Sequence, residues 1–494
     1  MKPWEIEQIK ARVKPWVLDG YLTDYQKEAW HWSATREGSL LWWACGAGKT
    51  LAAILWLLNG TRQERKLIVT RAPAKQQWRF QIAQYTDLEA TVLSGFTARM
   101  LLDEECIIIS WEMLPYWRQA IEQWAQGGTL SIVWDEIHKG KSWRRKERYV
   151  TGLGTTGWRY MDNRVAAAAQ LARKATRRIG LTATPIQDRR MDLWGQLDLV
   201  EPGKHKTSFH WAKRYCAATQ GAYGGLDTTG KSNCEELKQT LAKLTHRVPY
   251  AEMAKALPPK RRQLIRIGRD EQSKTPGFVT ELRNAAAKGK QHLFEARLQQ
   301  CAAAKRSWIT ETVYDLASAG QKVTVFTGRR KDCEKLASAI RKKLKKNKDV
   351  TVWSGHGGDS LTARQQMVHE YANCDKGGVF VGTTDAFGEA IDGLQNTDTA
   401  IFALLPWTPG LVTQAEGRFS RHGSTRPVLI SYIIAEGTVD EHVADVLLSK
   451  LEMVQHTLDD EEAGGVASTL AGFDNEDEIL DELFTLMRED DAQI

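Results

Sequence analysis

The chain has 494 residues, too many for one hydrophobic core, and its 42% hydrophobic content suits two or three ordinary globular domains. No apolar run approaches the roughly 18 residues that a membrane-spanning helix needs, and the start, Met1-Lys2-Pro3-Trp4-Glu5, has no apolar signal-peptide core. The net charge of +7 hides an asymmetry: residues 459–494 hold thirteen acidic side chains and one Arg, a net of −12, which leaves +19 on residues 1–458. A body so basic suits a polyanion such as nucleic acid, against the plainer reading of solubility alone. The seven cysteines are scattered with no CxxC pair, which points to reduced thiols inside a cell and to no zinc site.

An amphipathic stretch, residues 3–20, comes first. Thr23 then suits the cap of a helix running through Lys27 and Trp30, with Gln26 in its first turn. The apolar run Leu40 to Ala44 predicts a buried strand, and Leu51 to Leu58 predicts a helix. Between them lies Gly46-Ala47-Gly48-Lys49-Thr50. A Gly-rich turn at a helix N-terminus points backbone N–H groups at an anion, and the helix dipole favours negative charge there. Lys49 is placed to reach the β- and γ-phosphates of a nucleotide, and the Thr50 hydroxyl to hold Mg²⁺. Trp43 stands where the full P-loop pattern has its first Gly. Gln26, about twenty residues earlier, carries the paired donor and acceptor that an adenine edge requires.

Short strands follow at Lys66 to Thr70, Cys106 to Ser110 and Ser131 to Trp134, the last running straight into Asp135-Glu136-Ile137-His138. A fourth strand ends in Leu181-Thr182-Ala183-Thr184-Pro185. Short apolar strands alternating with helices predict a parallel α/β sheet, whose ligands sit beyond the carboxyl ends of the strands. The Gly-rich turn and Asp135-Glu136 both fall at such ends. Asp135 suits orienting Mg²⁺, and Glu136 suits polarising an attacking water. The basic, aromatic stretch Trp143 to Asp162 reads either as a phosphate-gripping loop or as a solvated one.

Residues 203–300 lose this rhythm and read as a mostly helical insertion or bridge. The rhythm returns with strands at 322–326, 350–353, 378–382, 399–404 and 427–434, a second α/β lobe with no P-loop of its own. The expected organisation is therefore 1–202 and 301–458 as two lobes, 203–300 between them, and an acidic tail at 459–494. In the second lobe, Gly382 to Gly393 follows a strand, and Gln414, Arg418 and Arg421 fall at i, i+4 and i+7, one face of a helix. Arginines presented to a γ-phosphate neutralise transition-state charge, an effect of roughly 10³–10⁵ in rate. The run Arg341 to Lys346 reads as a solvated helix end or a phosphate contact. The tail places Ile479, Leu480, Leu483, Phe484, Leu486 and Met487 among acids, which fits either a solvated tail or an amphipathic segment that docks a protein partner or competes for a basic DNA path.

Taken in order, these motifs resemble those of the Swi/Snf-type DNA translocase family of superfamily 2 helicase-like ATPases, nearest its compact annealing-helicase-like branch. Tyr25-Gln26 resembles the adenine motif, residues 46–50 motif I, 67–78 motif Ia, 108–114 the next strand motif, and 135–138 motif II. LTATPIQDRRMDLW (181–194) resembles motif III, ALPPKRR (256–262) the link between lobes, and QAEGRFSRHGSTRPV (414–428) with IAEGTVDE (434–441) motif VI and the segment after it. The resemblance implies two RecA-like parallel-sheet lobes, ATP and Mg²⁺ as cofactors, and duplex or branched DNA as partner. It implies ATP-driven translocation along DNA in repair, replication or recombination. It assigns Gln26 to adenine, with Gln414 also on the nucleotide side. Gly46, Gly48, Lys49 and Thr50 fall to the phosphates, Thr50 and Asp135 to Mg²⁺, Glu136 to the base, and Arg418 and Arg421 to the arginines that complete the site. It gives Thr182, Thr184 and Gly388 the coupling of hydrolysis to DNA contact. A strand-separating or fork-remodelling helicase, the motor of a larger defence or restriction complex, and an ATP-gated DNA clamp are the competing readings. No chromatin-reading module is visible. The expected location is the cytoplasm for a prokaryotic or phage-encoded protein, or the nucleus for a eukaryotic one, without a membrane.

Overall fold

The structure is a computed structural model. It describes residues 11–470 apart from 61–62, 127, 143–145, 151–155, 161–162, 188, 221–225, 229, 249–257, 269–289, 348, 375–376, 389–392, 421–423, 425 and 459–460. The chain divides into two compact units, Met1–Pro249 and Tyr250–Ile494.

The strands of the first unit are β1 (Gly38–Trp42), β2 (Arg65–Thr70), β3 (Ala90–Val92), β4 (Cys106–Ser110), β5 (Leu130–Asp135), β6 (Lys146–Val150), β7 (Thr156–Tyr160), β8 (Arg177–Thr182), β9 (Thr219–Gln220), β10 (Leu226–Asp227) and β11 (Thr245–Arg247). Seven of them form one all-parallel sheet in the order β11-β1-β8-β5-β2-β4-β3. Ile107, Ile108 and Ile109 are successive residues of one strand and all are fully buried. Helices therefore cover both faces, as parallel sheets require. Each such side chain contributes about 1.5–3 kcal/mol by burial. β6 and β7 pair antiparallel, so the stretch after Ile137-His138 is built around a hairpin rather than a plain loop.

The second unit holds β12 (Lys260–Ile267), β13 (Lys322–Thr327), β14 (Thr351–Gly355), β15 (Gly378–Thr383), β16 (Thr399–Phe402) and β17 (Val428–Ala435). They form a second all-parallel sheet in the order β12-β17-β16-β13-β15-β14. Helices Lys290–Ser318, Arg330–Leu344 and Val439–Leu458 belong to this unit. The expected pair of parallel-sheet α/β lobes is thus present.

Several boundaries differ from the sequence reading. The described residues of 203–300 do not form a separate helical body. Helices Ser208–Tyr215 and Cys234–Ala242 lie in the first unit, where Thr245 pairs with Leu40. Lys260–Ile267 is a strand, paired along its whole length with β17. Its opening Lys-Arg-Arg looks unlike a strand of a covered sheet, but a buried carboxylate described below pairs with Lys260 and Arg262, and Arg261 is exposed. The second unit's long helix, Lys290–Ser318, runs across the lobe boundary expected at residue 301. The tail's first part is the helix Glu461–Leu470, with Val466, Ala467 and Leu470 buried. Residues 471–494, which carry the apolar positions singled out in the tail, lie outside the described residues.

Candidate active site

The Gly-rich turn follows β1. Gly46 (φ 83°) and Gly48 (φ 78°) are left-handed, a conformation that strains any residue with a Cβ. A Cβ on Gly48 would also meet the side-chain amide of Gln26. The helix Lys49–Leu58 begins at once, so Lys49 and Thr50 stand at the positive end of its dipole. Lys49 Nζ donates to the carbonyls of Trp43 (2.9 Å) and Ala44 (3.0 Å), which folds the ammonium across the base of the turn. Trp43, the departure from the P-loop pattern, is buried, and its indole N–H donates to His246 Nδ1 at 3.1 Å. That bond ties the turn to β11 and leaves the neutral ring's proton on Nε2.

The helix Asp24–Ala34 starts with the expected cap. Thr23 Oγ1 accepts from Gln26 N (3.4 Å), and Gln26 Oε1 accepts from Thr23 N (3.0 Å), a reciprocal capping box. The other end of the Gln26 amide donates from Nε2 to Gly48 O at 3.3 Å. Tyr25 donates from its hydroxyl to Ala47 O at 3.2 Å. The adenine motif and the Gly-rich turn are therefore one assembly. Each end of the Gln26 amide has a second bonding position left, so a base edge can be read without breaking either contact.

Asp135 ends β5. Its Oδ2 accepts from Thr70 Oγ1 (2.6 Å) and Trp78 Nε1 (2.8 Å), while Trp111 Nε1 donates to its main-chain carbonyl (2.8 Å). Burial pushes the Asp135 carboxyl upward in pKa and the charge of Glu136 adds to that. The Thr70 and Trp78 bonds and the nearby charge of Lys49 pull it down, but the net shift is upward. The Thr70 and Trp78 bonds both go to Oδ2, so Oδ1 is the oxygen they leave unengaged. Thr50 and Asp135 are hard oxygen donors, and Mg²⁺ takes one or two carboxylates together with substrate phosphates and water. The residues fit the ion.

Glu136 adopts φ 51°, left-handed for a residue with a side chain. Such strain gathers at functional sites. Its Oε2 is buried, lies 3.3 Å from His138 Nδ1 and accepts no hydrogen bond. His138 Nδ1 meets Thr182 Oγ1 at 2.9 Å, and Thr182 Oγ1 accepts from Thr184 N at 3.0 Å. A continuous chain of polar contacts thus joins Glu136 to the Leu181–Pro185 loop.

In the second unit, the helix expected to begin at Gln414 instead runs Pro409–Glu416. Proline fits its first turn, and the chain leaves the helix at Gly417, with Arg418 N reaching Ala415 O and Phe419 N reaching Glu416 O. Arg418 therefore stands on the turn after the helix, and the one-face arrangement of Gln414, Arg418 and Arg421 is corrected. Gln414 is buried within the helix. Arg418 is 7% exposed, and its Nε donates to Gly388 O at 3.0 Å, joining two of the sequence motifs. Arg421 lies outside the described residues.

Sequence reasoning passed over Thr70, Trp78 and Trp111, which hold Asp135, and Arg262 and Glu416 in the second unit. The signal for Trp78 was a helix starting directly after β2. The partners are far apart in sequence, and only the sheet order brings β2 beside β5.

An SNF2-related domain family matches residues 159–298, and the helicase conserved C-terminal domain family matches residues 304–423. This chain is thus similar to SNF2-related proteins over one stretch and to helicase C-terminal domains over another. The type III restriction enzyme res-subunit family also matches it, over residues 19–187. The chain is similar to the SWI/SNF-related matrix-associated actin-dependent regulator of chromatin subfamily A-like protein 1 of Xenopus tropicalis, at 27% identity over 88% of this chain and 45% of that protein. It is similar to the DNA annealing helicase and endonuclease ZRANB3 of Mus musculus, at 28% identity over 66% of this chain and 33% of that one. The chain thus spans less than half the length of these relatives. A solved Sulfolobus solfataricus SWI2/SNF2 ATPase core in complex with dsDNA aligns at TM-score 0.41 and 18% identity, covering 91% of this chain and 94% of that one. Among the described residues, no helix is long and apolar enough to cross a membrane.

Proposed function

We propose that this ATPase couples ATP hydrolysis to movement along duplex or branched DNA, in repair, replication or recombination. The observation that carries the reading is the assembly around the Gly-rich turn. The turn, the Gln26 amide and the strand-end carboxylate Asp135 are built to one nucleotide-binding pattern, with Lys49 near enough to act on the Asp135 charge. The similarity to SNF2-related and DNA annealing helicase proteins supports DNA as the track, and the +19 on residues 1–458 supports a polyanion.

In this reading, Gln26 meets the adenine and the N–H groups from Gly46 to Thr50 cradle the phosphates. Lys49 leaves the Trp43 and Ala44 carbonyls to reach the β- and γ-phosphates. Thr50 and Asp135 would hold Mg²⁺ beside the phosphates, and the ion would supply positive charge against that building on the phosphate oxygens. Glu136 orients and deprotonates the attacking water. Arg418 and Arg421 offset charge on the transferring group. Movement at Glu136 is passed through His138 and Thr182 to Thr184, and so to the loop proposed to touch DNA. The acidic tail is proposed as a docking segment, and the protein as one that works in the cytoplasm.

The test is steady-state ATP hydrolysis with no nucleic acid, single-stranded DNA, duplex DNA, forked DNA and RNA, with Glu136→Gln as the blank. Strong stimulation by plain duplex and a fall of about 10²-fold or more in the blank are expected, because the water loses its base. Stimulation by forks alone would make this a fork-remodelling enzyme. Bound ATP with no turnover under any condition would leave an ATP-gated clamp and overturn the motor.

A further inference from the structure

Glu416 lies between Gln414 and Arg418 and is completely buried. A carboxylate is almost never buried without partners. Here Arg262 Nε donates to Oε1 (2.9 Å), Arg262 Nη2 donates to Oε2 (2.6 Å), Lys260 Nζ lies 3.5 Å from Oε2, and the Tyr432 hydroxyl also donates to Oε1. Lys260 and Arg262 are alternate residues of β12, and Tyr432 belongs to the neighbouring β17. The carboxylate thus fastens the end of the helix Pro409–Glu416 to the first strand of the second unit.

The turn that follows is held at further points. Arg418 donates to Gly388 O, Ser420 Oγ donates to Pro258 O (3.0 Å), and Phe419 is fully buried, 5.6 Å from the Phe326 ring. Fold stability alone does not call for this arrangement. A buried ion pair is commonly matched or exceeded in stability by apolar residues of the same volume. What a bidentate guanidinium–carboxylate pair adds is geometry.

We infer that Glu416 is a positioning residue: through Arg262 it sets the place of the turn that carries Arg418, and so tunes turnover without touching nucleotide. The inference rests on the ATP-motor reading above. It adds that β12 is mechanically joined, through Glu416, to the turn that carries Arg418, so that a shift of the strand is passed to that arginine.

The experiment uses the full chain carrying Arg262→Lys, which keeps the charge and loses the paired fork, and separately Tyr432→Phe, which removes one bond to Glu416. Melting temperature, affinity for a fluorescent ATP analogue, kcat and KM for ATP at saturating duplex DNA are measured. In Arg262→Lys, kcat is expected to fall by about tenfold with KM and nucleotide affinity within about twofold, the signature of an interaction felt in the transition state. Tyr432→Phe should give the same pattern, smaller. A folded Arg262→Lys protein with wild-type kcat, or losses in both variants that only follow melting temperature, overturns the inference and leaves the motor reading standing. A wild-type chain that binds ATP but never hydrolyses it removes the motor reading, and this inference with it.

Discussion

Trp78 shows how much one side chain contributes to the nucleotide site. It is almost fully buried and spends its only polar atom on Asp135. Trp78→Phe keeps most of the ring volume and removes the donor, leaving Thr70 alone on Oδ2. A hydrogen bond to a charged group contributes about 1.5–3 kcal/mol. The variant should lose that much stability in urea unfolding, with the slope against denaturant unchanged. Its Asp135 should also titrate higher, because one of the bonds favouring the ionised form is gone. Hydrolysis should then fail at a higher pH on the acid side than in the wild type. A variant with unchanged midpoint and unchanged acid limb would show that the indole only fills space.

At the scale of an element, β12 is a strand whose charges are acceptable only because of another element. Burial pushes the Glu416 carboxyl upward, but Lys260, Arg262 and the Tyr432 hydroxyl outweigh it and leave the group below the ordinary glutamate value. A carboxyl depressed in the folded state stabilises the protein at pH values above its unfolded pKa. That stability is lost as pH falls through the folded value. Melting temperature should therefore drop on the acid side, below about pH 4 where glutamates in unfolded chains protonate. Glu416→Gln should melt lower than wild type at pH 7, by about 3–5 kcal/mol in stability, since Lys260 and Arg262 lose their counter-charge. Its curve should be flatter in acid. An equally steep acid limb in the variant would assign the acid transition to other carboxyls. The same element explains a misreading: Lys260-Arg261-Arg262 looks like a linker until its partner is known.

At the scale of the whole molecule, the charge is divided along the chain. Residues 471–494 carry nine acidic side chains and one Arg, a net of −8, which leaves +15 on residues 1–470. Cutting after Leu470 spares the buried residues of the helix Glu461–Leu470. Removing 471–494 should tighten duplex binding several-fold at low ionic strength. The difference should shrink as salt approaches 0.15 M, where the screening length is about 8 Å. Equal DNA affinity and equal basal hydrolysis with and without the segment would leave it a solvated tail.

Alternating short apolar strands and helices were enough to specify two parallel sheets, because a parallel strand buried on both faces must be apolar throughout, as Ile107–Ile109 is. The Gly-rich turn, Gln26 with its Thr23 cap, and Asp135-Glu136 were legible for a similar reason: each is a local pattern completed within a few residues. What the sequence could not determine is every contact made across the sheets. Trp78 and Thr70 come to Asp135 because β2 lies beside β5, Trp43 meets His246 because β11 closes the edge next to β1, and Arg262 meets Glu416 from 154 residues away. The expected helical face for Gln414, Arg418 and Arg421 failed for the same cause. Periodicity can propose a helix, but this one ends at Gly417, beside a carboxylate bound to a distant strand, and only the tertiary structure supplies that partner.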